Sequence, residues 1–211
     1  MSSPAAAQSG PSDSRIFAGG LFGVSTLSAD GAASTTSAGA ALSMYKPENG
    51  AAIDLFGGIH LHEYFSVQAN WVWNRNDLTL FAASTLDGAF YEQRRRSRQH
   101  AVVFDGLLYF RERRSAFRPY LGTGLAIVRF SSDITENVSA EGIAPPAVDA
   151  ASTSVALRSH VGIDIRLAPR LSFRYSFSET IGRNPISRTL TPEAQRRLAN
   201  FQNLFGMLWR F

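Results

Sequence analysis

NFQNLFGMLWRF, residues 200–211, decides how the rest of the chain is read. Taken with a period of two, Phe201, Phe205, Met207, Trp209 and Phe211 fall on one face. Gln202, Leu204, Gly206, Leu208 and Arg210 fall on the other. So apolar a segment at the end of the chain frays unless it is a strand locked into a closed sheet. Closure is the first expectation, and the remaining sequence has to supply the other strands.

Composition agrees with closure. A length of 211 residues suits one barrel or sandwich. No run approaches the roughly 18 consecutive apolar residues of a membrane helix, so residence in a bilayer requires a closed barrel. Charged residues are 18% of the chain and aromatics 11%, with 17 glycines, which favours twisted sheet over a helical bundle. The absence of cysteine excludes disulfides and thiolate metal sites. The net charge of +4 is carried by arginines spread along the chain, not gathered on one helix, so no nucleic-acid partner is expected. Residues 1–14 are small and polar, without the basic-then-apolar pattern of a signal peptide, and read as a flexible leader. A single domain is expected over residues 15–211.

Seven further segments read as strands: 15–27, 51–62, 65–75, 98–110, 117–130, 153–167 and 171–180. Alternation is cleanest in the last two, where Val155, Leu157, Val161, Ile163, Ile165 and Leu167 alternate with Arg158, His160, Asp164 and Arg166. Leu171, Phe173, Tyr175 and Phe177 likewise alternate with Ser172, Arg174, Ser176 and Ser178. Gly122 and Gly124 leave room for large neighbours or strong curvature. Between the strands, 28–50, 131–152 and 183–199 read as long loops, the last with a short helix capped by Thr191. Residues 76–97 hold a Leu-Asp-Gly turn signal and an arginine triplet, and either extend the flanking strands or loop. The connections near Glu63, Ser115 and Pro169 are short. Long and short connections therefore alternate around an even number of strands, as in transmembrane barrels.

Here the chain resembles the small eight-stranded outer-membrane barrels, the OmpA/OmpX-like family, over residues 15–211. PYLGTGLAIV (119–128) and GMLWRF (206–211) carry the resemblance most. Gly206, Trp209 and Phe211 resemble that family's C-terminal assembly signal, with Leu204 standing where the signal has a polar residue. The resemblance implies an all-β, eight-stranded, antiparallel up-and-down transmembrane β-barrel with short periplasmic turns and long extracellular loops. It also implies a monomer in the bacterial outer membrane, with outer-membrane lipid or lipopolysaccharide and the barrel-assembly machinery as partners.

Asp54, His60, Asp105, Arg158, His160, Asp164, Arg166, Arg174 and Arg210 form the expected inward charge set. In so narrow a barrel they meet in the lumen, as a structural ion-pair network plugging it or as the lining of a regulated pore. Arg94, Arg95, Arg96 and Arg98 either clamp lipopolysaccharide phosphates or form a solvated rim. His60 and His62, two apart, would share one strand face and so could share a metal; the alternative is two ordinary polar residues near a turn. The lipid A deacylases, eight-stranded enzymes, use a histidine and a serine on the outer face of the penultimate strand. RYSFSETIG (174–182) has no histidine, so no catalytic residue is expected, and no cofactor. The expected function is a non-enzymatic structural or surface-interaction role through four mobile loops. The rival readings are a small channel for hydrophobic or small solutes, and a soluble lipocalin-like ligand binder with an inverted barrel.

Overall fold

The computed structural model describes residues 15–28, 31–34, 41–84, 88–140, 150–186 and 197–211. Its strands are β1 (Ile16–Ser28), β2 (Gly31–Ser34), β3 (Ala41–His60), β4 (Phe65–Ser84), β5 (Phe90–Tyr109), β6 (Phe117–Ser139), β7 (Ala150–Arg166), β8 (Leu171–Arg183) and β9 (Arg197–Arg210). Sequential neighbours from β3 to β9 pair antiparallel, and β1 pairs with both β9 and β3, closing a ring of eight. β2 lies only along the outer end of β3. Among the described residues there is no helix. Closure leaves no free edge, so every strand of the ring has a partner on both sides.

One ladder followed from Ile59 on β3 passes Val67, Gly106, Thr123, Ser159, Glu179, Phe201 and Thr26. It returns to β3 at Asn49. A ten-residue stagger between Ile59 and Asn49 over one circuit tilts the strands by roughly 35–45° and leaves an interior just wide enough for side chains.

Alternation sorts the side chains by face. The apolar outer wall runs over residues 65–73 of β4, 102–110 along β5 and 117–127 along β6, close to the roughly 9–11 residues a tilted transmembrane strand needs. Tyr64, Phe65, Phe110, Phe117, Trp209 and Phe211 stand exposed around the short-turn end, as an interfacial aromatic girdle does. At the other end the same face turns charged, through Arg75, Arg98 and Arg129 to Asp77, Arg96 and Asp133. A belt of exposed Phe, Leu, Ile and Val around the barrel is untenable in water, which removes the soluble lipocalin-like reading.

The loops depart from expectation. Most of 28–50 and 131–152 is strand, because β3 begins at Ala41 and β6 reaches Ser139, while 76–97 extends its flanking strands, one of its two expected readings, with β4 running to Ser84 and β5 starting at Phe90. Two bulges, between Pro47 and Gly50 and between Arg94 and Arg95, absorb the irregularity. The barrel therefore projects beyond the apolar belt. Its projecting interior is packed by Leu27, Leu78, Leu80, Tyr91, Phe130, Ile186 and Leu198. The leader and the Thr191 cap lie outside the described residues. The short turns hold as expected: Leu61 N donates to Phe65 O, and the N–H groups of Leu167 and Ala168 both donate to Leu171 O.

Candidate functional site

The inward faces of β3, β5, β7 and β8 bring the expected charges together. Arg158 on β7 reaches Asp54 on β3 at 2.8 Å (Nη2–Oδ2) and Asp105 on β5 at 3.6 Å (Nη1–Oδ2). Gly124 makes this possible. It stands in register between Asp105 and Arg158, and a Cβ there would overlap the Asp105 carboxylate. Gly122 does the same for His160, whose ring fills the space a Cβ would take and whose Nε2 lies 3.5 Å from Asp105 Oδ2.

Nearer the turns, Arg174 on β8 faces Asp164 on β7 directly across the ladder. Its Nε and Nη2 donate to the two carboxylate oxygens at 2.6 and 2.8 Å. Nη1 donates to Gln68 Oε1 at 3.0 Å, and Nη2 also reaches Tyr109 Oη at 2.8 Å. The guanidinium lies 4.7 Å from the Phe56 ring centroid and 5.0 Å from that of Tyr120, an aromatic box around a satisfied cation. Gln68 Nε2 donates to Asn70 Oδ1, and Asn70 Nδ2 donates to Asp105 Oδ2 at 2.8 Å. The two arginine centres are thus one connected network across the lumen.

The remaining predicted residues divide. His60 is buried, its Nδ1 2.5 Å from Ser66 Oγ and its ring 4.7 Å from that of Phe17. His62 is exposed in the turn beside Tyr64, because β3 ends at His60, so the two histidines do not share a face. Arg166 and Arg210 sit at the turn end, outside the ion-pair network; Arg166 Nη2 donates to Arg113 O at 2.6 Å. Arg95 corrects the rim reading, since it points into the barrel, 1% exposed, and donates to Gln93 Oε1 and Ser132 O. Arg94, Arg96 and Arg98 do face outward, each beside a surface carboxylate: Glu136 at 3.2 Å, Asp77 at 3.5 Å and Asp133 at 3.8 Å.

Several members of the site escape the charge pattern. Arg118, buried over the Tyr109 ring at 3.8 Å, donates to Glu63 O at 3.1 Å and closes the turn end. Its inward phase is legible from Tyr120, two residues on. Gln68 and Asn70 lie on the polar face of β4 but carry no charge to draw attention. Glu63 joins two turns by accepting from Arg113 N at 3.0 Å and Nη2 at 2.9 Å. Those bonds to the charged form hold its carboxyl below the usual range. Midway up, Val72, Val103, Ala126, Val128 and Ala156 make an apolar layer, and above it Asn200 links Gln99 to Ser25. Beside Gln99 and Phe130 the interior leaves a 20 Å³ cavity, room for about one water. Of the four histidines, His60 and His160 face the lumen, His62 lies in a turn, and His100 is on β5 beside Trp71. None stands on the outer face of β7 or β8.

Solved structures of small outer-membrane proteins share the fold. Neisserial surface protein A shares 13% identity over 93% of this chain and 97% of its own, with a TM-score of 0.54. OprG from Pseudomonas aeruginosa shares 14% identity over 94% and 96%, with a TM-score of 0.57. No curated protein sequence matches the chain. At such identities the likeness speaks for the fold alone. Residues 1–201 match the model of the outer membrane protein beta-barrel domain. The chain belongs to that family and is a bacterial outer-membrane β-barrel.

Proposed function

We propose that the protein is a non-enzymatic, closed outer-membrane barrel that acts through its outer rim and extracellular connections rather than by conducting solutes. The observation that carries this is the connected lumen network, Arg174–Asp164 to Arg158–Asp54/Asp105 through Gln68 and Asn70. Opening a path there would part buried charges from their partners, at a cost of several kcal/mol for each ion so exposed to an apolar surround. The apolar cluster around Leu78, Leu80 and Tyr91 stoppers the same lumen beyond the belt. In planar bilayers the folded protein is expected to show no unitary conductance steps. Discrete, reproducible steps would establish the small-channel alternative instead.

The outer rim supports a lipopolysaccharide contact through Arg94, Arg96 and Arg98. Their surface carboxylates hold them weakly, since exposed pairs contribute only about 0–1 kcal/mol, and a phosphate offers a bidentate replacement. The arginines stand where the wall turns from apolar to charged, at the depth of lipid headgroups. Arg96→Ala with Arg98→Ala is expected to lower retained lipopolysaccharide several-fold after purification, whereas Arg95→Gln, inside the barrel, leaves it unchanged. Equal retention in all three proteins would reduce the rim to solvated arginines.

A further inference from the structure

Four polar side chains interrupt the lipid-facing wall on its β6–β9 side, below the level at which that wall turns charged. Thr123, Ser159 and Glu179 stand in one ladder row as successive cross-strand partners. Asn203 lies one outward position from Phe201, the β9 partner of Glu179. Because the ladder climbs about ten residues over eight strands, Asn203 sits within roughly one residue of the depth of Glu179. Outward neighbours beyond the row are Leu157, Ile181 and Phe201, and nearer the turns they are Val161, Phe177 and Phe205. The patch is therefore inside the apolar belt, where water does not solvate it. The opposite wall presents Leu55, Ala69, Trp71, Val102 and Phe104 over the same depth, with no polar side chain.

The hydrogen-bonding capacity of the patch is half used. Tyr175 Oη donates to Asn203 Oδ1 at 3.0 Å, which turns the Asn203 amide nitrogen and its two donors outward. Thr123 Oγ1 donates to Arg158 O at 3.1 Å. Among the described residues, the side chains of Glu179 and Ser159 make no hydrogen bond or ion pair. A carboxyl group held in hydrocarbon without a donor is costly, and polar groups at that depth ordinarily face a protein partner or a water-filled cavity. Unfilled acceptors on Glu179 and unfilled donors on Asn203 and Ser159 make the surface complementary to itself.

We infer that the β7–β9 face is the interface of a two-fold dimer, in which Glu179 of each copy accepts hydrogen bonds from the Asn203 amide of the other. The partner is a second copy of this chain, where the sequence reading expects a monomer. A two-fold axis along the membrane normal preserves depth, so it sets β8 of one copy against β9 of the other with acceptor facing donor twice. Ser159 supplies a further donor at the edge. The stacked rings of Phe177 and Phe201, 6.3 Å apart at 18°, flank the polar pair with a flat apolar shoulder.

The chain contains no cysteine, so Phe177→Cys on this face and Val102→Cys on the opposite wall each introduce a single thiol. In phosphatidylcholine vesicles, oxidation is expected to link the Phe177→Cys protein into a dimer and to leave the Val102→Cys protein monomeric. Adding Glu179→Leu to Phe177→Cys lowers the association constant about a hundredfold or more, the effect of losing a hydrogen bond to a charged group in each half. Asn203→Leu does the same from the donor side. Leucine suits the lipid face, so heat-modifiable gel mobility stays that of a folded barrel and separates lost association from lost folding. Equal cross-linking of both cysteine variants, or a dimer undiminished by Glu179→Leu, overturns the proposal. So does a monomeric mass by native mass spectrometry at every protein-to-lipid ratio, or cross-linking in whole cells to a different membrane protein alone.

Discussion

Arg158→Leu is expected to destabilise the folded barrel by about 3–5 kcal/mol, the range for removing one partner from a buried ion pair. The arginine side chain is 1% exposed and its first carboxylate partner, Asp54, 2%. Its second partner, Asp105, is completely buried. With the guanidinium gone, two carboxylates face each other across a narrow lumen. Arg174 cannot serve both, because Asp164, Gln68 and Tyr109 already occupy its donors. Asn70 still donates to Asp105, which leaves Asp54 the more exposed to the loss. Adding Asp54→Leu and Asp105→Asn removes the stranded charges and is expected to recover most of the stability. A triple variant near wild type with a strongly weakened single variant is the signature of a coupled site. The measurement is urea unfolding from lipid vesicles, followed by heat-modifiable mobility. A single variant as stable as wild type would show that the network does not hold the lumen closed.

The second large effect lies on the other face. Phe104 is 62% exposed and stands on β5 midway between Phe110 at the turn end and Arg98 at the charged rim. Phe104→Arg therefore places a guanidinium near the middle of the apolar belt, at a cost of about 2–4 kcal/mol. The native Arg98 shows that the same side chain on the same face is tolerated six residues away, so depth, not arginine itself, sets the cost. The expected result is a reduced folded fraction in vesicles together with a lowered urea midpoint. Wild-type folding of this variant would mean that the β5 wall does not face hydrocarbon.

How much of this was legible in the chain depends on whether the two faces of a segment differ in character. Where one face meets lipid and the other a packed lumen, alternation reports the phase directly, and so the inward orientation of Asp54, Asp105, Arg158, His160, Asp164 and Arg174 can be read from residues two apart. Beyond the belt both faces are polar. In RRRSR, residues 94–98, the composition carries no phase, and only the pairing of Arg95 with Leu78 on β4 places it inside. The same loss of contrast makes the projecting ends of β3 to β6 read as loops.

Residue order alone carries the eight-strand ring, its closure, the lipid-facing wall and most of the inward charges, because side-chain direction is a local property of an extended chain. Which charge meets which depends on how the strands are staggered around the ring. Asp54 lies 104 residues from Arg158, and their contact depends on the ten-residue stagger set when β1 pairs with both β3 and β9. A change of stagger would preserve every face while giving every lumen charge a different neighbour.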